Sequence, residues 1–593
     1  MHKKLFLFSL ILVYIIPMQA YQVYYKVSLD APQTRYITVE LEVLNYKKTE
    51  AKLKMPVWTP GSYMVREFSR NVESVIVSDR QGNQIDVRKE DKNTWVVKNG
   101  KHTDFIVTYR VYANEVSVRT TFIDNHSAFL SGTSLFMYVQ GLEKQPGKVE
   151  IQLPKHWDKI ATGLHEIPNE PNRFLFKNYD ELADCPIQVG SFDTLSFMVM
   201  GVPHYVALVG NSNVSKNKLR IDLEKLCLET ANVIGKLDFK KYWFFVHHTD
   251  QGGGGLEHHN STAVVMPRWN YTDKVKYENF LSLCVHEYFH AWNVKRIRPI
   301  ELGPFDYDKE VYTRLLWVAE GITSYYDELI MVRAGFWSKE KLIQELSAKI
   351  NYNENTPGAK VQSLADASFD AWIKYYRQDE NTINSGVSYY TKGALVAALL
   401  DLTIIQHSKG RYHLDDLLVY LYDNYYIKQQ RGFTEKEFEA AAEFIAGVNL
   451  TQFFDALVYQ IKPVSYTDFF SPFAVEWTKE LSNEPYLGAN VAFENGKCVV
   501  KSVVSGSNAF QLGLSSKDII LSINGMKPTE PFSQFLGRFE TKKEVVLWIE
   551  RGNQTLSFTT QLMSNPNPVH KLKFKTDASS EELKKQGFWL GAK

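Results

Sequence analysis

The chain has 593 residues, 44% of them hydrophobic and 23% charged, an ordinary globular balance that excludes a disordered, collagen-like or low-complexity protein. With 68 basic and 67 acidic residues the net charge is +1, which leaves no electrostatic footprint for nucleic acid or an acidic membrane. The length exceeds what one core supports and predicts about three to four domains.

The chain opens with MHKKLFLFSLILVYIIPMQA, a basic start (His2, Lys3, Lys4), an apolar run from Leu5 to Ile16, then Pro17 and the small residue Ala20. This predicts a secretory signal over residues 1–20, cleaved after Ala20, and hence an exported protein, periplasmic or secreted. No later run reaches the length of a bilayer crossing, so no membrane span is expected in the mature chain. The four cysteines, Cys185, Cys227, Cys284 and Cys498, are far apart with no C-x-x-C pair. The domains are therefore expected to rest on ordinary cores, without a Cys185–Cys227 bridge.

Residues 21–200 read as an all-β domain, a sandwich. Strand-like alternation recurs in YQVYYKVSL, YITVELEVL, NTWVVKN, TDFIVTYRVYA and GKVEIQLP, with turn clusters such as Asp79 to Asn83 between. Within it Met55 to Tyr63, MPVWTPGSY, followed by Arg66, predicts a rigid aromatic loop, either a packed turn or a wall of an active-site cleft.

Residues 201–480 hold the chemistry. Asn217 to Leu237 has helical spacing, and Tyr242 to His248 reads as a buried strand. Gly252 to Gly255 then predicts a flexible loop leading through Leu256, Glu257 and His258 to a strand over Thr262 to Met266. Four glycines let the backbone approach a ligand closely, and Glu257 can hold a cationic group there. The pairs His247-His248 and His258-His259 suggest a second metal, but neighbours on a strand point to opposite faces, so packing or substrate contact is expected instead.

The run FLSLCVHEYFHAWNV from Phe280 to Val294 contains H-E-x-x-H at His286, Glu287 and His290, with no Gly or Pro. On a helix, residues four apart share a face, so the two imidazoles can bind one metal ion while Glu287 stands beside it as a general base. A third ligand is expected from Glu320 in WVAEG, thirty residues beyond His290, because a carboxylate in so apolar a stretch is costly unless paired or metal-bound. The pattern predicts one Zn2+ per chain. Residues 335–460 are largely helical by spacing. Before the most apolar of these helices stand Tyr389 and Tyr390, and a hydroxyl at a helix mouth can donate to a developing oxyanion. Residues 485–565 predict a separate β-rich module, and the charged tail 566–593 is expected to be only partly ordered.

On P-V-W-T-P-G-S-Y at 56–63, G-G-L-E-H at 254–258, H-E-Y-F-H-A-W-N-V-K-R-I-R-P at 286–299 and W-V-A-E-G at 317–321, the mature chain resembles the glycyl aminopeptidase family, number sixty-one of the metallopeptidases, which belongs with aminopeptidase N. The resemblance implies a thermolysin-like α+β, helix-rich catalytic domain, with zinc on His286, His290 and Glu320 and with Glu287 as base. It likens Gly255, Glu257 and His258 to the G-x-M-E-N segment whose glutamate binds a substrate's free amino group, with Leu and His replacing Met and Asn. It matches Tyr390 to the tyrosine of Y-x-K-G that stabilises the tetrahedral intermediate, Tyr389 being the competing register. It also implies a PDZ-like module, with Tyr486 to Ala489 as carboxylate-binding loop and Lys517 replacing the usual Gly, open to a C-terminal peptide. The expected activity is hydrolysis of the first peptide bond of substrates with a free N-terminus, and the family implies small first residues, Gly or Ala. An endopeptidase using Glu257 structurally, and a PDZ-type peptide-binding scaffold, are the alternatives.

Overall fold

The computed structural model describes residues 22–591, so the predicted signal lies outside the described residues. Alternation builds the first domain. Tyr36–Val43 turns Ile37, Val39, Leu41 and Val43 inward with none of them exposed, the period-two pattern of a strand with one buried face. It lies near the middle of an eight-stranded sheet, between antiparallel Val23–Ser28 and Phe105–Tyr112. Two four-stranded sheets share its core, contributing Leu53 and Val97 from one and Leu130 and Ile187 from the other.

The catalytic body begins with the hairpin Asp193–Val199/Val202–Val209, the first two strands of a five-stranded sheet. A boundary drawn at residue 200 falls on the tip of this hairpin, where Met200 (φ 47°) and Gly201 (φ 79°) make the two-residue turn that a right-handed sheet twist favours. Strand order continues through Tyr242–Thr249 and Ser261–Pro267, both parallel to Val202–Val209, to Gly255–His258 at the edge. That edge strand differs from the glycine-loop reading. From Gly255 onward the segment pairs antiparallel with Ser261–Val264, and only Gly252 and Gly254 adopt the positive φ of a loop.

Across the sheet lies the helix Lys274–Phe289, started by an Asp273 carboxylate that accepts from the Lys276 amide at 3.1 Å. The segment Trp317–Gly321 is wound as a π turn that continues into the helix Ile322–Arg333. The central helix Thr391–His407 is buried over most of its surface, as its unbroken apolar run requires. It crosses the π turn at two glycines: a Cβ on Gly321 would lie 2.5 Å from Gly393 backbone atoms. Each glycine closes a motif, W-V-A-E-G in one case and Y-T-K-G in the other, so the two chemistry-bearing segments meet where neither has a side chain.

The C-terminal β domain is a five-stranded sheet, Ala489–Glu494, Lys497–Val503, Ile519–Ile523, Glu544–Arg551 and Gln554–Gln561 in that order, with a core of its own around Val500, Ile523 and Leu547. Its Val503 carbonyl and Ser505 amide are bonded to the Asn384 side chain at 2.8 and 2.9 Å. The tail, expected to be only partly ordered, is built into the catalytic body instead. Val569–Phe574 pairs with Val475–Glu480, and Ser580–Trp589 forms a helix with a Ser579/Glu582 capping box. None of the helix's charged residues is buried, while Trp589 is fully buried and donates to the Tyr325 hydroxyl at 2.7 Å. No helix among the described residues is long and apolar enough to cross a membrane.

Candidate active site

His286 and His290, one turn apart, stand with ring centroids 4.6 Å apart and planes at 86°. The Glu320 Oε2 lies 3.4 Å from His286 Nε2 and 3.2 Å from His290 Nε2, and these three groups bring one ligand atom each within 4.8 Å of one another. Both imidazoles are held from behind. His286 Nδ1 lies 2.8 Å from Asp327 Oδ2, and His290 Nδ1 lies 2.6 Å from the Asn293 carbonyl. Both partners only accept, so Nδ1 carries the proton on each ring and the Nε2 lone pair faces Glu320. The Asn293 amide in turn donates to the carbonyls of Val318 and Ala319 at 2.8 and 3.1 Å, fastening the His290 turn to the π turn.

This donor set fits zinc. Two neutral imidazoles and a carboxylate are a catalytic zinc triad, each histidine has the outer partner that fixes its tautomer, and the buried Glu320 Oε2 has no hydrogen-bond donor. Burial raises the carboxyl of Glu287, one residue along from His286, above its ordinary value. Its Oε2 is buried without a partner, and a Cβ on Gly255 would lie 2.3 Å from its Oε1. The edge strand thus runs directly beneath this carboxylate.

Glu257 shares the site: its carboxylate, that of Glu287 and a His290 nitrogen lie within 4.8 Å of one another. Glu257 is 3% exposed with Oε1 unpartnered by any donor. Strand alternation sends His258 the other way, where its Nδ1 lies 3.0 Å from Asp184 Oδ1 and its Nε2 is buried without a partner. Lys295 joins the two sides, with Nζ 2.9 Å from Asp184 Oδ1 and 3.9 Å from Glu257 Oε1. Burial opposes ionisation of Asp184, yet Lys295 and His258 hold it well below the usual carboxylate range. Asp184 comes from the N-terminal domain, and so does Gly61. At φ 87°, Gly61 sits where a Cβ would be 2.4 Å from the Glu257 carboxylate oxygens. The MPVWTPGSY loop is thus both packed and a wall, since Val57, Trp58 and Tyr63 belong to the catalytic core.

Of the two tyrosines, Tyr390 is the one stacked on His286, with centroids 6.3 Å apart at 23°. Tyr389 is fully buried against Tyr375, its hydroxyl unpartnered. The Tyr390 hydroxyl is 3.4 Å from that of Tyr376, which donates to the Gly61 carbonyl at 3.4 Å. His247, His248 and His259 stand in packing or structural contacts with Phe129, Tyr271 and Arg296.

Sequence reasoning missed Asp327, Asn293, Asp184, Lys295 and Tyr376. Asp327 alone left a signal, seven residues after Glu320 and so on the same helical face.

Comparison with known proteins agrees with this geometry. Residues 24–191 match the peptidase M61 N-terminal domain, and residues 279–396 match the M61 glycyl aminopeptidase domain. No curated protein matches the chain. Among solved structures, an aminopeptidase N family protein from Idiomarina loihiensis is 27% identical with a TM-score of 0.89, over 96% of this chain and 100% of that one. An M1 zinc metallopeptidase from Deinococcus radiodurans is 11% identical with a TM-score of 0.48, over 74% of this chain and 94% of that one, a likeness too distant to bear on this chain's chemistry. With both domain matches lying on the segments that build the site, the chain belongs to the M61 family of metallopeptidases.

Proposed function

We propose that the protein is a zinc aminopeptidase that removes the first residue of peptides with a free N-terminus, preferring Gly or Ala. The observation that carries this reading is the blocked end of the cleft. Glu257 presents a buried carboxylate oxygen that accepts no hydrogen bond beside Glu287, and Gly61 of the other domain lies against that carboxylate. A substrate ammonium held by Glu257 puts the first peptide bond over Glu287 and leaves no path for further residues on that side. Lys295 already offsets one of the two carboxylates it bridges, so this corner keeps one net negative charge for the ammonium. Tyr63 and Tyr376 contact each other beside Gly61, and the preference for a small first residue rests on the family likeness.

His286, His290 and Glu320 would hold the zinc, which supplies Lewis acidity to the scissile carbonyl and the attacking water. Glu287 takes a proton from that water on its free Oε2 and returns it to the departing amine. Burial raises the Glu287 carboxyl, the direction that suits both halves of that transfer. Tyr390, loosely held by Tyr376 in the free enzyme, donates its O–H to the carbonyl oxygen as negative charge develops there.

A panel of Gly, Ala and Leu arylamides with an N-acetylated peptide, each assayed with and without a zinc chelator, tests the proposal. Chelator-sensitive release confined to free-amine Gly and Ala substrates is expected, whereas cleavage of the blocked peptide would make the enzyme an endopeptidase.

We also infer export, on the strength of residues 1–20. A mature protein beginning at Tyr21 outside the cytoplasm is the expected result, and an intact Met1 there would overturn it. The C-terminal domain is proposed to be PDZ-like, taking a peptide C-terminus. The free edge of Ala489–Glu494 follows Gly488, whose φ of 87° shapes the Tyr486–Ala489 turn, and an added strand would pair along that edge. Failure of apolar C-terminal peptides to bind the full chain would remove this role.

A further inference from the structure

Two residues beyond Tyr390, on the central helix, Lys392 is 7% exposed, and among the described residues its ammonium has no hydrogen bond or ion pair. It opens on a cavity of about 280 Å³, separate from the cleft. Leu395 and Leu399 follow at three and seven residues, on the same face of the helix, and with Leu457 and Val464 they give the cavity apolar walls. Glu354 also lines it, fixed in place because its Oε1 accepts from the Tyr466 hydroxyl at 2.7 Å and the Asn353 amide at 3.0 Å. Burial pushes Lys392 down to about 8, opposed by Glu354.

A buried ammonium is costly unless it is paired, and here the chain supplies no partner. Lys392 and Glu354 face one cavity without bonding to each other. A simple carboxylate placed there would satisfy Lys392 and be repelled by Glu354, and a simple amine would do the reverse. A zwitterion satisfies both. The volume is at the lower end of ligand pockets, roughly 300–1,000 Å³, which suits a single small molecule rather than a peptide.

We propose that this cavity binds a free apolar α-amino acid of valine or leucine size, its carboxylate on Lys392, its ammonium towards Glu354 and its side chain against Leu395, Leu399, Leu457 and Val464. The site does not depend on the aminopeptidase reading, and its ligand carries a larger side chain than the glycine or alanine proposed as that enzyme's product. Because Lys392 and Tyr390 belong to adjoining turns of one chain segment, an occupant touches the element that carries the proposed oxyanion donor.

Calorimetric titration of L-leucine tests this on the zinc-loaded full chain. The titration is repeated on the Glu257→Ala chain, which lacks the amine anchor of the cleft, and on the same chain also carrying Lys392→Met. Binding is expected to persist in Glu257→Ala and to weaken about tenfold or more when Lys392→Met is added, the loss of one charge-assisted bond. Lys392→Arg, which keeps the cation, should bind close to the parent, and Glu354→Gln should weaken leucine while sparing 4-methylpentanoate. Zinc content and the unfolding midpoint report whether each variant is folded. Absence of leucine binding to Glu257→Ala, or equal binding with and without Lys392→Met, overturns the proposal. Parent affinity for leucine no greater than for 4-methylpentanoate overturns the role of Glu354.

Discussion

At the scale of single residues, each imidazole of the H-E-x-x-H pair has an acceptor behind it, and Asp327 is the one that acts through a side chain. Replacing Asp327 with Asn keeps the volume and removes the anion that fixes the His286 tautomer. Zinc affinity should fall about 10–100-fold, read by competition with a chromogenic chelator; unchanged affinity would mean that His286 needs no such support. Glu257→Ala should raise KM for free-amine arylamides, and an unaltered KM would take Glu257 out of amine binding. Lys295→Met should destabilise the fold by about 3–5 kcal/mol in urea, because it removes the cation shared by the buried Glu257 and the half-buried Asp184. A loss below about 1 kcal/mol would show that water already screens that corner. The H-E-x-x-H pair and Glu320 were legible because helical period and an acid amid apolar neighbours are local signals. Asp184 and Lys295 were not, since 111 residues separate them and only the docking of two domains brings them together.

Elements set the distances between those residues. The Gly321–Gly393 crossing holds Glu320 and Tyr390 on adjoining helical segments. Gly321→Ala gains about 1 kcal/mol of helix propensity. The new methyl nevertheless meets backbone at 2.5 Å, which cannot swing aside, so a net loss of about 1–3 kcal/mol is expected in urea, with a fall in kcat as Tyr390 is displaced. An undiminished kcat would separate Tyr390 placement from this contact. In the sheet, His204 is fully buried, its Nδ1 donating to the Val202 carbonyl and its Nε2 accepting from Tyr288, and burial pushes it down to about 4. Between its unfolded value of about 6.5 and that folded value, the unfolded chain binds a proton that the fold excludes. Stability is therefore present above about pH 6.5 and lost as the pH falls through that window. The urea midpoint should drop from pH 7 to 5, and less so in His204→Gln; a flat parent profile would contradict the buried neutral ring. The helices and central strands followed from periodicity. The edge strand Gly255–His258 did not, because four consecutive glycines mask a pairing that depends on its neighbour.

In the whole molecule, the sequence order of domains is not their spatial order. Glu480 and Val569 are cross-strand partners, so the chain leaves the catalytic body and returns to it at one place, with the C-terminal β domain hung between. Replacing residues 482–567 with a short Asn-Gly turn should preserve zinc binding and arylamide turnover near the parent, apart from the lost Asn384 contacts. Removing 566–591 should abolish both by exposing the seat of Trp589, and activity in that truncation would show the tail to be dispensable. The tail was read as loosely ordered because its charged composition hid the few apolar residues that dock. That docking has a consequence in time. A chain emerging from a ribosome can complete the N-terminal domain early, but the core behind Glu320 waits for a strand and helix translated after an entire further domain. The peptidase core is therefore complete only after the residues that follow the C-terminal β domain have been made and Trp589 has reached its seat against Tyr325.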